Sequence, residues 1–504
     1  MTLKIWVRFP LFAAILWDLG SLIFMFFNLT NFFFLFIFII FTLAAIPANK
    51  ITFIRNYGLG CSLVLFIFSV VLAIFYNPLQ LNPQYTLEYE LFSFYIVYFG
   101  VDTLSLYLIL LTTFIFFLCF MASYTSIIKD IKKFFILFFF LEFILIIVFT
   151  VLDFFLFYIA FETSLIPMFM LIGAWGSKAR KTKAAYYLFL YTLMGSLFML
   201  IAILIIFSQL GNTTYYTLAT TELSHTAQFF VWPAIFFAFA IKIPMFPFHI
   251  WLPEAHVEAP TVGSVLLAGI ILKLGGYAFC RFLLPLYAFG TDYYLPLAFI
   301  LALVGAIYST FTALRQIDMK RIIAYSSIAH MNVGLLGLFS GTLEGFCGFY
   351  YVMLGHGFIS SALFFLVGVL YDRSHTRIFY YFSGLAMRMP LFAMFFFFFS
   401  VANIAFPGTM NFVSELLILI GVAKTSFIVV FLIGVSLLGS TFYTMWLYNR
   451  IAFGTMSYQK GYFWYDLTKS EFFIFLILTL AVILGGLIPQ MVLTNLIPFY
   501  FYTF

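Results

Sequence analysis

Five ionisable residues, Glu142, Glu162, Lys242, Lys273 and Glu415, stand inside long apolar stretches of this sequence. His330 and His356 stand in two more, and His249 closes another. An ionised side chain at the centre of a bilayer costs about 2.5–3.5 kcal/mol on insertion scales, so several in one chain are tolerated only when paired or hydrated. Low dielectric disfavours the charged form of acids and bases alike and brings the two kinds of group toward a common range in which they exchange protons. The chemistry on offer is proton relay.

Glu162 lies in Tyr158-Ile-Ala-Phe-Glu-Thr-Ser-Leu-Ile-Pro167 and Lys242 in Phe239-Ala-Ile-Lys-Ile-Pro-Met-Phe-Pro247. One acid and one base on packed helices neutralise each other, either as a static pair or as a relay step. Lys273, in Ala268-Gly-Ile-Ile-Leu-Lys-Leu-Gly-Gly276, has no third carboxylate nearby in sequence and favours a lysine that gives up its proton. His330 in Ala324-Tyr-Ser-Ser-Ile-Ala-His330 and His356 in Leu354-Gly-His-Gly357 can link the lysines through water or, alternatively, hydrogen-bond between helices. His249 is a secondary member, and Glu142, without a partner, stays outside the site. His249, Glu254, His256 and Glu258 cluster around Trp251-Leu-Pro-Glu-Ala-His-Val-Glu-Ala-Pro260, but not at His-Glu-x-x-His spacing. Polar residues beside broken helices cap backbone, so no metal is expected.

Of 504 residues, 65% are hydrophobic and 8% charged, against roughly 45–50% and 25% in soluble domains. That excludes a soluble globular protein. Runs apolar on nearly every face, such as Phe32 to Ile46, exclude an outer-membrane barrel. About fourteen stretches are long enough to span a bilayer as helices, and residues 9–28 are a further candidate. Positive charge tests the map. Lys50 and Arg55; Lys129, Lys132 and Lys133; Lys178, Arg180, Lys181 and Lys183; Arg315, Lys320 and Arg321; Arg373, Arg377 and Arg388; and Arg450, Lys460 and Lys469 all fall on one side. The opposite loops 77–102, 209–229, 285–293 and 341–345 hold no Lys or Arg, with Lys424 and Arg281 as exceptions. The basic side faces cytoplasm or, in an organelle, matrix, and the cluster from Lys178 to Lys183 also suits anionic lipid headgroups.

Two spans carry helix-breaking sequence beside their charges: Lys242-Ile-Pro-Met-Phe-Pro-Phe-His249 and Phe406-Pro-Gly-Thr-Met-Asn-Phe-Val-Ser-Glu415. Interrupted spans in corresponding positions of two halves point to an ion site on inverted repeats; ordinary proline kinks are the alternative. The spans between 134 and 284 and between 294 and 449 make two units of five, and an odd number inverts the second. The expected class is an all-α polytopic membrane protein of about fourteen helices with two inverted five-helix repeats and two interrupted helices. Its regions are 1–126, N-terminal helices; 127–287, first repeat; 288–452, second repeat; and 453–504, C-terminal loop and last helix.

Cys61, Cys119, Cys280 and Cys347 are scattered singly, so neither a disulfide framework nor an iron-sulfur cluster is expected. Gly275 and Gly276 sit in an apolar run without a phosphate-loop Lys-Ser/Thr, so neither ATP nor NADH is expected to bind. The opening Met-Thr-Leu-Lys-Ile-Trp-Val-Arg lacks an import presequence, and the 76 Phe with much Tyr and Ile suggest an AT-rich genome such as an organelle's.

The run from Lys242 through Trp251-Leu-Pro-Glu-Ala-His-Val-Glu-Ala-Pro-Thr-Val-Gly-Ser-Val265, continuing to Leu272-Lys-Leu-Gly-Gly-Tyr277, resembles the signature of the antiporter-like proton-pumping subunits of respiratory complex I. Phe161-Glu-Thr-Ser-Leu-Ile-Pro167, Arg315-Gln-Ile-Asp-Met-Lys-Arg-Ile-Ile-Ala-Tyr-Ser-Ser-Ile-Ala-His-Met331 and His375-Thr-Arg377 support it, over residues 97–450. The resemblance implies that Glu162 pairs with Lys242, that Lys273 and His330 carry protons along a central axis, and that Glu415 ends the exit path. It implies a subunit of NADH:ubiquinone reductase with no redox centre of its own, NADH, FMN, iron-sulfur clusters and ubiquinone belonging to partner subunits. Its expected partners are other membrane-arm subunits, including neighbouring antiporter-like chains, and membrane lipids, cardiolipin among them, but not nucleic acid. Its place would be the mitochondrial inner membrane with basic loops toward the matrix. A sodium/proton antiporter subunit is the alternative, although related chains of that kind tend to carry lysine where Glu415 stands.

Overall fold

A backbone surrounded by lipid must satisfy its own N–H and C=O groups, and the apolar runs of this chain do so as helices. The computed structural model describes residues 28–91, 95–455 and 465–503; the candidate span at 9–28, except its last residue, and Lys460 lie outside them. In order come α1 (Leu29–Ala45) and α2 (Ile51–Phe75), then strands β1 (Gln84–Leu91) and β2 (Tyr95–Val101). Next are α3 (Thr103–Ser126), α4 (Ile131–Thr150), α5 (Phe154–Trp175) and α6 (Lys181–Leu210). Next come α7 (His225–Lys242) and, after a break, α8 (Trp251–Glu258). Then follow α9 (Thr261–Leu283), α10 (Ala288–Leu314), α11 (Met319–Phe339) and α12 (Leu343–Ser374). After these come α13 (Pro390–Asn403) and, after a break, α14 (Met410–Ala423), and α15 (Phe427–Ala452), α16 (Lys469–Leu487) and α17 (Gln490–Thr503) complete the chain. Among the described residues, 11 helices are long and apolar enough to cross a membrane, and α1, α13 and α14 are shorter apolar helices. The chain is a multi-pass helical membrane protein.

The helices sort into an inner and an outer set. The most apolar window of α9 is 100% buried and those of α11 and α12 are 94% buried, whereas that of α16 is 22% buried. Outer helices turn rows such as Leu480, Leu484 and Leu487 outward, as lipid-facing surfaces do. Without a hydrophobic drive between helices in lipid, small residues set how closely they pack. A Cβ on Gly269 of α9 would stand 2.9 Å from Ser361 Oγ of α12, and one on Gly355 of α12 would stand 2.7 Å from Asn411 Oδ1 of α14. Glycine at these two positions is what lets α12 touch both neighbours.

The class expected from sequence was wholly helical, and the strands correct it. They pair antiparallel, with Leu87 opposite Phe99 and Leu91 opposite Tyr95. The run Gln84-Tyr-Thr-Leu-Glu-Tyr-Glu-Leu91 alternates polar and apolar side chains at the period of a strand. It falls in a loop without basic residues, where no lipid forces helix. The helix α17 was likewise not anticipated.

Arg281, expected near a span end, is 1% exposed, and its guanidinium meets Asp102 at 2.5 Å at the start of α3. The rings of Tyr215 and Tyr277 stand 5.1 and 5.6 Å from that guanidinium. Removing one partner of a buried pair strands the other charge, at a cost of about 3–5 kcal/mol. Arg281→Met is therefore expected to lower the amount of folded chain in purified membranes, and adding Asp102→Asn to restore much of it; quantitative immunoblotting of the single and double variants checks this, and equal losses in both would contradict it.

Candidate proton-relay site

Pro244 and Pro247 end α7 because each lacks an N–H and clashes with a continuing helix. The chain from Pro244 to Ile250 therefore leaves the helix, and the polar groups of its buried part need other partners. Met245 N–H donates to Ala240 O at 2.9 Å. The Trp251 indole donates to Ile241 O at 2.9 Å, and Asn332 Nδ2 on α11 donates to Pro244 O at 3.3 Å. Asn332 is fully buried. It was not found by sequence reasoning, where the only signal was one amide in an apolar helix.

Lys242, the last residue of α7, is 1% exposed, and its Nζ has no hydrogen-bond partner. It lies 4.3 Å from the centroid of the Phe161 ring. Glu162 follows that ring in sequence, interacts electrostatically with Lys242, and has Ser196 beside it. Its Oε1 is buried without a partner. Among the described residues no direct ion pair joins Glu162 to Lys242, in contrast to the pairing the resemblance implied. The aromatic face of Phe161 takes the ammonium instead, an attraction worth about 2 kcal/mol or more when desolvated.

Lys273 lies between two π-helical turns of α9, Leu267–Ile271 and Phe279–Leu283. Such turns widen the helix and recur at functional sites. Lys273 is fully buried. Its Nζ donates to Ala268 O at 2.5 Å and lies 2.8 Å from His356 Nδ1 on α12. The His356 and His330 rings are 6.1 Å apart, centre to centre. His330 Nδ1 meets Glu415 Oε1 on α14 at 3.1 Å. His330 Nε2 and His356 Nε2 are both buried without partners. The structure thus brings Lys273, His356, His330 and Glu415 into one buried row, in which His356 stands between Lys273 and His330.

Glu415 follows the second interruption, where Ala405 and Gly408 adopt φ of 63° and 91°. It is 5% exposed and lines an apolar groove with Ile404, Phe412 and Leu438. Tyr443, Ser326 and Asn403 share its surroundings. His249 does not join the row: its ring lies among Phe246, Tyr308 and Tyr325. Glu142 stands apart on α4, fully buried, with neither oxygen hydrogen-bonded. Around Trp251 to Pro260, Glu254 pairs with Arg321 at 2.7 Å, Glu258 with Arg377 at 3.4 Å, and His256 stacks on Phe364. Lys320 and Arg377, expected in basic loops, are each 2% exposed; that is a correction, since positive charge on this side is partly structural rather than surface.

Two helix breaks around a buried row of bases and an acid define a polytopic membrane protein that carries ionisable groups through its interior. The family model for NADH:quinone oxidoreductase/Mrp antiporter transmembrane proteins matches residues 151–442, and the chain belongs to that family. It is 45% identical over 461 residues to NADH-ubiquinone oxidoreductase chain 4 of Chondrus crispus, covering 91% of this chain and 93% of that one. The protein of the same name from Arabidopsis thaliana is 46% identical, over 89% and 91% of the two chains. A chain in the structure of respiratory complex I from Thermus thermophilus with bound NADH superposes with a TM-score of 0.83 at 29% identity, covering 93% of this chain and 98% of that one. A chain of an archaeal membrane-bound sulfane sulfur reductase, at 20% identity and a TM-score of 0.84 over 94% and 99% of the two chains, shares the fold.

Asn332→Leu removes the side-chain donor to the Pro244 carbonyl and leaves that group unsatisfied, at a cost of about 1–3 kcal/mol. The midpoint of thermal unfolding of the purified protein in its native assembly is expected to fall, and an unchanged midpoint would show that the interruption does not depend on this amide.

Proposed function

We propose that this chain is a proton-translocating subunit of the membrane arm of a NADH:ubiquinone oxidoreductase. The observation that carries the reading is the buried row Lys273, His356, His330 and Glu415, with contacts of 2.8 and 3.1 Å at its two ends and 6.1 Å between the ring centres of the two histidines. A proton passes along such a row when each base accepts on one side and donates on the other; His356, held at Nδ1 by Lys273, has its Nε2 left for the next step. Lys242 and Glu162, coupled but not joined, form a second buried pair of opposite charge whose approach would change the field along the row. The scale is adequate: moving one charge against 100 mV costs about 2.3 kcal/mol, and a shift of one pKa unit supplies about 1.4 kcal/mol.

Fourteen crossings follow when α7 with α8, and α13 with α14, each count as one interrupted crossing and α17 as none. In this reading residues 127–287 and 288–452 are inverted five-helix repeats, each with its interrupted helix fourth, between helices of 1–126 and the last segment 453–504. Redox groups, namely FMN, iron-sulfur clusters, NADH and ubiquinone, belong to partner subunits. The basic loops face the matrix across the mitochondrial inner membrane, and Lys178 to Lys183 meet anionic headgroups such as cardiolipin's. The relatives named as chain 4 and the similar complex I chain support membrane-arm neighbours, and they favour this reading over a free-standing sodium/proton antiporter.

Lys273→Ala in the whole complex, reconstituted in proteoliposomes with NADH oxidation followed in the same sample, is expected to lower pumping and coupled turnover together while assembly stays intact. Unchanged values of both would make the buried lysine structural. His356→Phe, which keeps an aromatic ring of somewhat larger size without a ring nitrogen, should slow pumping roughly as much as losing a positioned acid or base does, about a hundredfold in the step it serves; initial pumping rates at saturating NADH, with assembly checked on native gels, test it.

A further inference from the structure

Lys320 is the second residue of α11, and its side chain points inward rather than to the basic surface. The positive end of a helix disfavours a cation in its first turn, so this placement does not serve α11. Its Nζ donates to Ala259 O at 2.9 Å and to Ser264 Oγ at 3.2 Å, at the junction of α8 and α9. The Ser264 hydroxyl donates onward to His256 O at 2.9 Å. The His256 ring is 0% exposed, and neither of its nitrogens has a partner. It lies flat on Phe364, with ring centres 4.7 Å apart. His256 interacts electrostatically with Lys320, Lys273 and His356.

Outward from Lys320 stand Asp372, Glu258 and Arg377, the charged groups that act on it. Asp372 and Glu471 line a cavity of about 40 Å³ with Thr261 and Ser470 on one part of its wall and Phe365, Val369 and Phe475 on another; a space of that size beside two carboxylates has room and partners for water. Thr261 is two residues from Ala259, whose carbonyl accepts the hydrogen bond from Lys320 Nζ.

We propose that Lys320 is the entry residue of the proton row: it takes protons from water gathered at Asp372 and Glu471 on the basic face and hands them through His256 to His356 and Lys273. The proposal rests on the relay reading above. The steps balance without any other reactant. A hydronium ion in the cavity gives its proton to the Lys320 amine, leaving water and an ammonium. The ammonium gives that proton to a ring nitrogen of His256, restoring the amine and making an imidazolium. The imidazolium passes it to His356 or Lys273 and is neutral again. The competing role for Lys320 is a clamp on the Ala259 carbonyl. Arginine keeps the charge and the donors such a clamp needs but does not deprotonate. His256→Phe keeps the flat contact with Phe364 and breaks no side-chain hydrogen bond.

The experiment is NADH-driven proton pumping by the whole complex in proteoliposomes, with assembly checked on native gels, for Lys320→Arg, His256→Phe and Lys273→Ala side by side. The expected result is assembled complex that pumps at least threefold more slowly in all three. Wild-type pumping by Lys320→Arg and His256→Phe with loss in Lys273→Ala overturns the entry role and leaves the relay standing. Loss in Lys320→Arg with wild-type pumping in His256→Phe also overturns it, since the route through His256 is then absent. Wild-type pumping in Lys273→Ala brings down the relay reading and the entry with it. Where Lys320→Arg does not assemble, His256→Phe decides: threefold loss supports the proposal and unchanged pumping overturns it.

Discussion

The contact of Lys273 Nζ with His356 Nδ1 at 2.8 Å is the interaction on which the interior is organised. Two bases bond to each other only when one of them is an acceptor, so the contact leaves one proton to be shared between the facing nitrogens. Everything around it serves that shared state. The π turns of α9 leave the Ala268 carbonyl for the lysine, and the close approach of α9 to α12 sets the distance. The outer helices exclude lipid and bulk water from the row, and low dielectric magnifies each charge within it.

The two interruptions are the other half of the arrangement. Unwound backbone at membrane depth persists only where protein or water satisfies it. In the first, Asn332 and Trp251 supply bonds to free carbonyls; in the second, Thr409 N–H closes a turn on Phe406 O at 3.1 Å. The first interruption ends its helix at a charge, Lys242, and the second precedes the helix that carries Glu415. Charge and backbone break thus share one cost, because both require an interior sealed from lipid.

Much of this was legible in the residues. Glu162, Lys242, Lys273, His330, His356 and Glu415 stand out because a charge or an imidazole in an apolar run is expensive wherever it lies. The helices themselves follow from run length, which needs no knowledge of neighbours. Other features were not legible. Lys320, Arg377 and Arg281 sit near the ends of apolar runs, where a basic residue is cheap, so nothing local distinguishes a buried one from a surface one. The hairpin of Gln84–Leu91 and Tyr95–Val101 was hidden by its setting among helices rather than by its own pattern, which alternates. His256 looked like a metal candidate or a helix cap and is instead a buried ring stacked on Phe364.

What the sequence by itself determined is which residues carry charge into the membrane and where the helices must break, since both depend on local composition and on the absence of an N–H in proline. Only the tertiary structure decided which of those charges meet. Lys273 finds His356 rather than a carboxylate, Lys242 finds the face of Phe161 rather than Glu162, and Lys320 turns inward to Ala259 and Ser264. These partners are up to 83 residues apart in sequence, and hydrogen-bond distances depend on ångström-scale helix approach, which glycine contacts between helices set and which no single helix encodes.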